Sequence, residues 1–135
     1  MTYTIKQVAE KIGVSVPTLR YYDKEGLMPF IEKKETGTRI FKDEDFRGLE
    51  IIKCMKNSGM PIKDIKRYMD MCMEGDSTLV DRLEVFLKRK EIVKKQIEEL
   101  HNIMDIIDHK IWYYETAIEA GSESIHKNNK DISKK

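Results

Sequence analysis

The stretch GVSVPTLRYYDKEGLMP, residues 13–29, decides the fold. Between its two glycines, Ser15 has the form of a helix N-cap, and Pro17 falls in the first turn, where its missing N–H costs nothing. The helix stops before Gly26. Leu19 and Tyr22 are three residues apart and share one face, which makes them core candidates. Thr18, Arg20 and Tyr21 then point elsewhere. They offer a hydroxyl, a fork of guanidinium donors and a phenol, groups that reach base edges and phosphate oxygens in a DNA groove. An arginine or a tyrosine on a surface helix is ordinary by itself, so the surroundings carry the meaning.

Upstream, Thr4 and Gln7 have the spacing of a capping box, and Ile5, Val8, Ala9 and Ile12 recur at helical spacing until Gly13 ends the run. Two short helices joined at Gly13-Val14 form a helix-turn-helix, whose second helix can enter the major groove. Downstream, Pro29-Phe30-Ile31 and Thr38-Arg39-Ile40-Phe41 flank the polar stretch Glu32 to Gly37, a pattern that predicts a small hairpin. Lys33 and Lys34 sit at its tip and Arg39 on its return strand. Basic residues there suit contact with the DNA backbone, although a solvated loop would look the same. Asp43 is expected to cap a third helix carrying Phe46, Leu49, Ile52 and Met55, ending at Ser58-Gly59. After Pro61, a fourth helix places Ile62, Ile65, Met69 and Cys72 on one face.

Beyond Ser77 the pattern changes. Leu79, Leu83, Phe86, Lys90, Val93, Ile97, Leu100, Met104, Ile107, Ile111, Tyr114 and Ile118 follow one another in steps of three and four, and only Lys90 is neither apolar nor aromatic. A seam of that length predicts a coiled-coil helix extending about 60 Å at roughly 1.5 Å per residue. It cannot be buried without a partner helix, and the simplest partner is a second copy. The expected organisation is a winged helix-turn-helix domain over residues 1–75, a dimerisation helix over 76–120, and a polar, lysine-rich tail over 121–135 expected to be disordered. The fold class is mainly α.

Composition agrees: 36% charged and 40% hydrophobic residues suit long surface helices. Net charge says little about partners. Residues 1–75 hold 14 basic against 12 acidic side chains, and residues 76–135 hold 11 against 12. Because phosphate neutralisation supplies much of DNA affinity, a DNA-binding role depends on where the charges sit. No apolar run approaches a membrane span, the N-terminus has no signal-like segment, and Cys54 and Cys72 do not form a disulfide framework, so a cytoplasmic location without membrane contact is expected.

The segments YTIKQVAEKIGVSVPTLRYYDKEGLMP, GTRIFKDEDF and SGMPIKDIKRYM, followed by a long coiled-coil helix, resemble the MerR family of bacterial transcription regulators over about residues 3–120. The resemblance implies an antiparallel coiled-coil homodimer, although the heptads alone would equally allow parallel strands. It implies binding to double-stranded promoter DNA with an overlong spacer, and action on RNA polymerase indirectly, through bending and untwisting of that promoter. Carried over residue by residue, Thr18, Arg20 and Tyr21 match the recognition helix, Lys33, Lys34, Thr38 and Arg39 the first wing, and Lys63 a second wing against the backbone. Phe41 stands where many members have tyrosine and is left out of the DNA-contacting set.

The signal is less defined. Metal-sensing relatives carry cysteines at the start of the dimer helix, where this chain has Ser77-Thr78-Leu79. His101, His109 and His126 form no compact cluster, and two cysteines cannot hold an iron–sulfur cluster. No metal, cofactor or catalytic constellation is therefore expected, and an enzyme is not. Cys72 extends the apolar row of the fourth helix and reads as an inert core residue. Cys54 falls off the apolar face of the third helix near Arg47, Lys53 and Lys56. There it resembles the single sensor cysteine of the aldehyde- and electrophile-responsive subgroup. The alternatives are a MerR-type regulator responding to a small ligand without cysteine chemistry, and a coiled-coil adaptor whose N-terminal domain binds protein.

Overall fold

The computed structural model describes residues 1–127. Strand β1 (Thr2–Tyr3) leads into helix α1 (Ile5–Ile12), helix α2 (Val16–Lys24), strand β2 (Glu32–Lys33), strand β3 (Arg39–Lys42), helix α3 (Asp45–Asn57), helix α4 (Ile62–Glu74) and helix α5 (Leu79–Ala120). Contacts divide the chain into two compact units, the first Met1–Arg89 and the second beginning at Lys90.

Two of the three predicted N-terminal caps form. The Thr4 hydroxyl accepts from Gln7 N, and the Gln7 amide oxygen accepts from Thr4 N at 2.9 Å, which closes the capping box of α1. Ser15 Oγ accepts from Thr18 N and starts α2, with Pro17 in its first turn. Gly13 takes the left-handed conformation (φ 73°) that ends α1 and turns the chain into α2. Lys53 of α3 donates to the Ile12 carbonyl at 2.6 Å, so a cation also caps the C-terminus of α1.

The core joins the inner faces of these helices. Val8 and Ile12 of α1, Leu19 and Tyr22 of α2, Leu49, Ile52 and Met55 of α3 and Ile65 and Met69 of α4 are all buried, with Leu27 and Phe41 filling the space between. Phe41 is fully buried, in keeping with its omission from the DNA-contacting set.

Three local expectations are corrected. The hairpin strand is Glu32–Lys33, not Pro29 to Ile31, because the Ile31 amide closes a turn on the Met28 carbonyl and Phe30 packs on the core. β3 is central in a three-stranded sheet, pairing Thr2 with Lys42 on one side and Lys33 with Arg39 on the other. Asp43 does not cap α3 through its side chain. Its carboxylate instead accepts from the Tyr3 hydroxyl and pairs with the N-terminal ammonium, while Asp45 accepts from the Lys42 amide at 2.8 Å. On α4, Met71 is buried and Cys72 only half-buried, so Cys72 borders the core rather than extending it.

A one-turn 3-10 helix, Asp76–Thr78, connects α4 to α5. Buried Thr78 places its hydroxyl 2.8 Å from the carbonyls of Met71 and Gly75 and accepts from Arg82 Nε at 2.9 Å. In the first turns of α5, Phe86 sets its ring edge-on against Tyr68, 5.1 Å between centroids, so this predicted seam residue packs on its own chain.

In the second unit, α5 leaves Ile97, Leu100, Met104, Ile107, Ile111 and Ile118 exposed, Leu100 to 63% and Ile118 to 78%, while Val93 is half-buried. Residues 121–127, assigned by composition to a disordered tail, instead form a turn that ends in a 3-10 helix, Glu123–His126. The buried His126 ring stacks on Tyr113 at 4.2 Å, with Nε2 2.7 Å from Thr116 Oγ1 and 3.1 Å from the Tyr113 carbonyl. A carbonyl only accepts, so this network assigns the proton to Nε2. The rest of the predicted tail, 128–135, lies outside the described residues.

The Thr78 network generates a stability prediction. Thr78→Val keeps the shape but removes the one hydroxyl proton that the Met71 and Gly75 carbonyls share and leaves Arg82 Nε without its acceptor. A loss of about 1–3 kcal/mol is expected in urea unfolding; an unchanged midpoint would show that water replaces the hydroxyl at no cost.

Candidate nucleic-acid interface

With Leu19 and Tyr22 buried, the helical period turns Arg20 and Tyr21 outward, and Tyr21 is 44% exposed. Thr18 is half-buried, and its hydroxyl lies 2.7 Å from Ser15 Oγ. It therefore belongs to the N-terminal cap of α2 as well as to the outer surface.

The wing projects beside this helix. Its tip is closed by Lys34 N donating to the Thr38 carbonyl and Gly37 N to the Lys34 carbonyl, both at 2.8 Å. Between the wing, α2 and the start of α1 runs an open groove of about 560 Å³ lined by Arg20, Lys34, Thr38 and Arg39 together with Thr2, Thr4 and Gln7. Four sequence-predicted residues meet there. Tyr21 lies outside the groove lining on the outer face of α2. Lys63 lines a separate open concavity with Lys66, Arg67, Asp70 and Asp81.

Lys33 and Arg39 are turned inward to a residue not singled out from the sequence. Asp23 Oδ2 accepts from Arg39 Nε at 2.8 Å and Nη2 at 2.7 Å, and from Lys33 Nζ at 3.1 Å. Burial alone would raise the Asp23 carboxyl, but the hydrogen bonds and charges of Lys33 and Arg39 outweigh it and hold the group below its ordinary 3.8. Asp23 is thus ionised and fixed between recognition helix and wing. A sequence signal existed: an acid three residues after Arg20, on the same side of the helix. Thr2 and Thr4 were missed as groove residues because Thr4 was fully accounted for as a cap and Thr2 pairs with β3 from 40 residues away.

Cys54 is exposed on α3. Of the cations near it in sequence, Lys53 is committed to the Ile12 carbonyl. Cys72 lines a cavity of about 340 Å³ between α3 and α4 with Phe30, Ile51, Tyr68 and Met69. Burial, with the neighbouring Cys72 thiol as second cause, pushes the Tyr68 phenol up to about 12. Among the described residues no three histidines, cysteines or carboxylates stand together as metal ligands, and no helix is long and apolar enough to cross a membrane.

Comparison with known proteins places this arrangement. Residues 3–72 match the MerR HTH family regulatory protein profile. An uncharacterized HTH-type transcriptional regulator of Haemophilus influenzae is 45% identical over 122 residues, covering 90% of each chain. The crystal structure of HiNmlR, a MerR family regulator lacking the sensor domain and bound to promoter DNA, superposes with a TM-score of 0.82. It is 44% identical, over 93% of this chain and 99% of that one. A MerR family regulator from Bacillus thuringiensis gives 0.76 at 43% identity, over 82% of this chain and 97% of that one. These relatives are transcription regulators rather than enzymes, and this chain belongs to the MerR family of helix-turn-helix transcription regulators.

Proposed function

We propose that this protein is a cytoplasmic, homodimeric regulator that binds double-stranded promoter DNA sequence-specifically through α2 and its wing. The observation that carries the proposal is the outward pair Arg20 and Tyr21, presented beside a groove in which Lys34, Thr38 and Arg39 converge. A guanidinium at that position can bond a guanine edge or a phosphate, and Lys34 at the wing tip suits the adjacent backbone. Lys63 supplies a second backbone contact. HiNmlR, so similar in sequence and fold, was crystallised on promoter DNA.

The exposed apolar stripe on α5 supports the dimer. Side chains such as Leu100 and Ile107 need a partner surface, and pairing with the same helix of a second copy in antiparallel orientation buries them. Two recognition helices then read two half-sites. Bending and untwisting the DNA between them changes promoter geometry for RNA polymerase without any contact to the enzyme. Smooth bending of a short duplex costs about 1–6 kcal/mol, so a signal need shift the protein's conformational balance only modestly to change output.

For the signal, Cys54 is the proposed sensor thiol: it is exposed, and its carbonyl accepts from Ser58 N at the turn leading into α4. The competing signal is a small ligand in the cavity between α3 and α4, where Tyr68, in contact with Phe86 of α5, forms part of the wall.

Three outcomes are expected. Wild-type protein binds a selected promoter duplex with strong salt dependence in fluorescence anisotropy, and Arg20→Ala weakens this by about 1–3 kcal/mol while the dimer persists. Absence of salt-dependent, sequence-selective binding by wild type would leave the protein-interaction adaptor as the better account. Leu100→Asp places an unpaired charge in the seam and should sediment as monomer; a stable dimer would disprove the seam. Cys54→Ser should keep DNA binding but lose its response to aldehydes and related electrophiles. A wild-type response from that variant shifts the assignment to the ligand cavity.

A further inference from the structure

We propose that Asp23 sets the sequence selectivity of DNA binding by holding Arg39 and Lys33 on the protein, away from the phosphate backbone. This rests on the DNA-binding reading above and deepens it. Asp23 belongs to α2, one turn beyond Arg20, whereas both of its partners belong to the wing. A single carboxylate oxygen receives three N–H donors, and the side chain is only 13% exposed. The wing's remaining strand cation, Lys42, is also paired, with Glu32 at 3.0 Å. Three of the four wing cations are therefore tied to carboxylates of this chain. Among the described residues, Lys34 at the tip has no such pair.

A surface built only for affinity would leave these cations free, because each phosphate neutralised strengthens binding to any sequence alike. Holding them back penalises non-specific complexes most. A specific complex is kept in register by base contacts from α2, so a freed side chain gains only where a phosphate already lies within reach. A non-specific complex slides until each freed cation finds one. The same ion pair fixes the wing against the recognition helix, so that groove and backbone contacts are presented at one spacing. Asp23 is thus a positioning residue with an electrostatic consequence that a purely structural tie would lack.

The test compares wild type with Asp23→Asn in anisotropy titrations over a range of salt. One probe is a duplex selected by the wild-type protein from a randomised pool, the other a scrambled duplex of the same length. On the scrambled duplex, Asp23→Asn is expected to bind more tightly, with a salt slope steeper by about 1–2 units, at roughly 0.9 per cation freed. The ratio of selected to scrambled affinity should fall by about tenfold. Asp23→Glu, which keeps the charge, should retain the wild-type slope. Adding Lys33→Gln to Asp23→Asn should remove about one unit again.

Parallel weakening on both duplexes with an unchanged slope would overturn the proposal and leave Asp23 a structural tie. If Asp23→Asn does not fold, as judged by circular dichroism, Asp23→Asn/Arg39→Gln replaces the ion pair with facing amides and frees Lys33 alone. Its slope should rise by about one unit, and no rise overturns the proposal. Failure of the wild type itself to bind with salt dependence would count against the DNA-binding reading, an outcome separate from both.

Discussion

Burial of Leu19 and Tyr22 on one face of α2 is the constraint from which the surface chemistry follows. α2 has nine residues, too few to be stable as an isolated helix, so it exists because that face packs on α1 within the domain's core. Fixing two side chains inward fixes the azimuth of every other residue on the helix. Arg20, Tyr21 and Asp23 acquire their directions from that packing. Replacing either core residue would misdirect the outer ones without touching them. The adjacent tyrosines part on the same basis: Tyr22 is core and Tyr21 is surface, because adjacency in sequence places them 100° apart around the axis.

Charge is spent locally in this domain. The chain is almost neutral, with a formal net charge of +1, and a strong overall field cannot draw it to DNA. The basic groups on the wing face are largely matched by carboxylates of the same unit: Asp23 with Lys33 and Arg39, and Glu32 with Lys42. Such matching lowers non-specific attraction. Among the described residues, Arg20 and Lys34 have no such carboxylate pair.

What was legible in the sequence was local. Capping hydroxyls at Thr4 and Ser15, the proline after Ser15, the glycine at the end of α1 and apolar spacing along α1 and α2 act within a few residues, and the structure realises each of them. What escaped depends on residues distant in sequence. A two-residue strand at Thr2–Tyr3 has no periodicity to read and is defined only by pairing with Lys42 and Phe41. Asp43 looks like a cap until Tyr3 and the N-terminal ammonium arrive from the other end of the domain and claim its carboxylate. Lys33 and Arg39 look like free wing cations until Asp23 is brought across to them. The turn at 121–127 was hidden for a related reason, since a single buried histidine anchors an otherwise polar segment.

The same long-range contacts bear on how a displacement of α3 would reach α2 and the start of α5. Lys53 ties α3 to the last carbonyl of α1, directly before the turn into α2, and it adjoins Cys54 in sequence. At the other end of that segment, Ser58 donates to the Met55 carbonyl, and its own carbonyl accepts a longer contact, 3.4 Å, from Arg89 of α5. A rotation of the last turn of α3 would therefore act on the helix-turn-helix through Lys53 and on α5 through Arg89. Among the described residues, Arg89 Nε is buried with no hydrogen-bond partner. An unsatisfied buried donor favours any rearrangement that supplies it an acceptor. Of the two links, the 2.6 Å bond to the Ile12 carbonyl is the firmer, and the Arg89 contact is the one that should yield first. A perturbation at α3 would on this basis keep the recognition helix seated in its domain and change how the end of α3 bears on the start of α5.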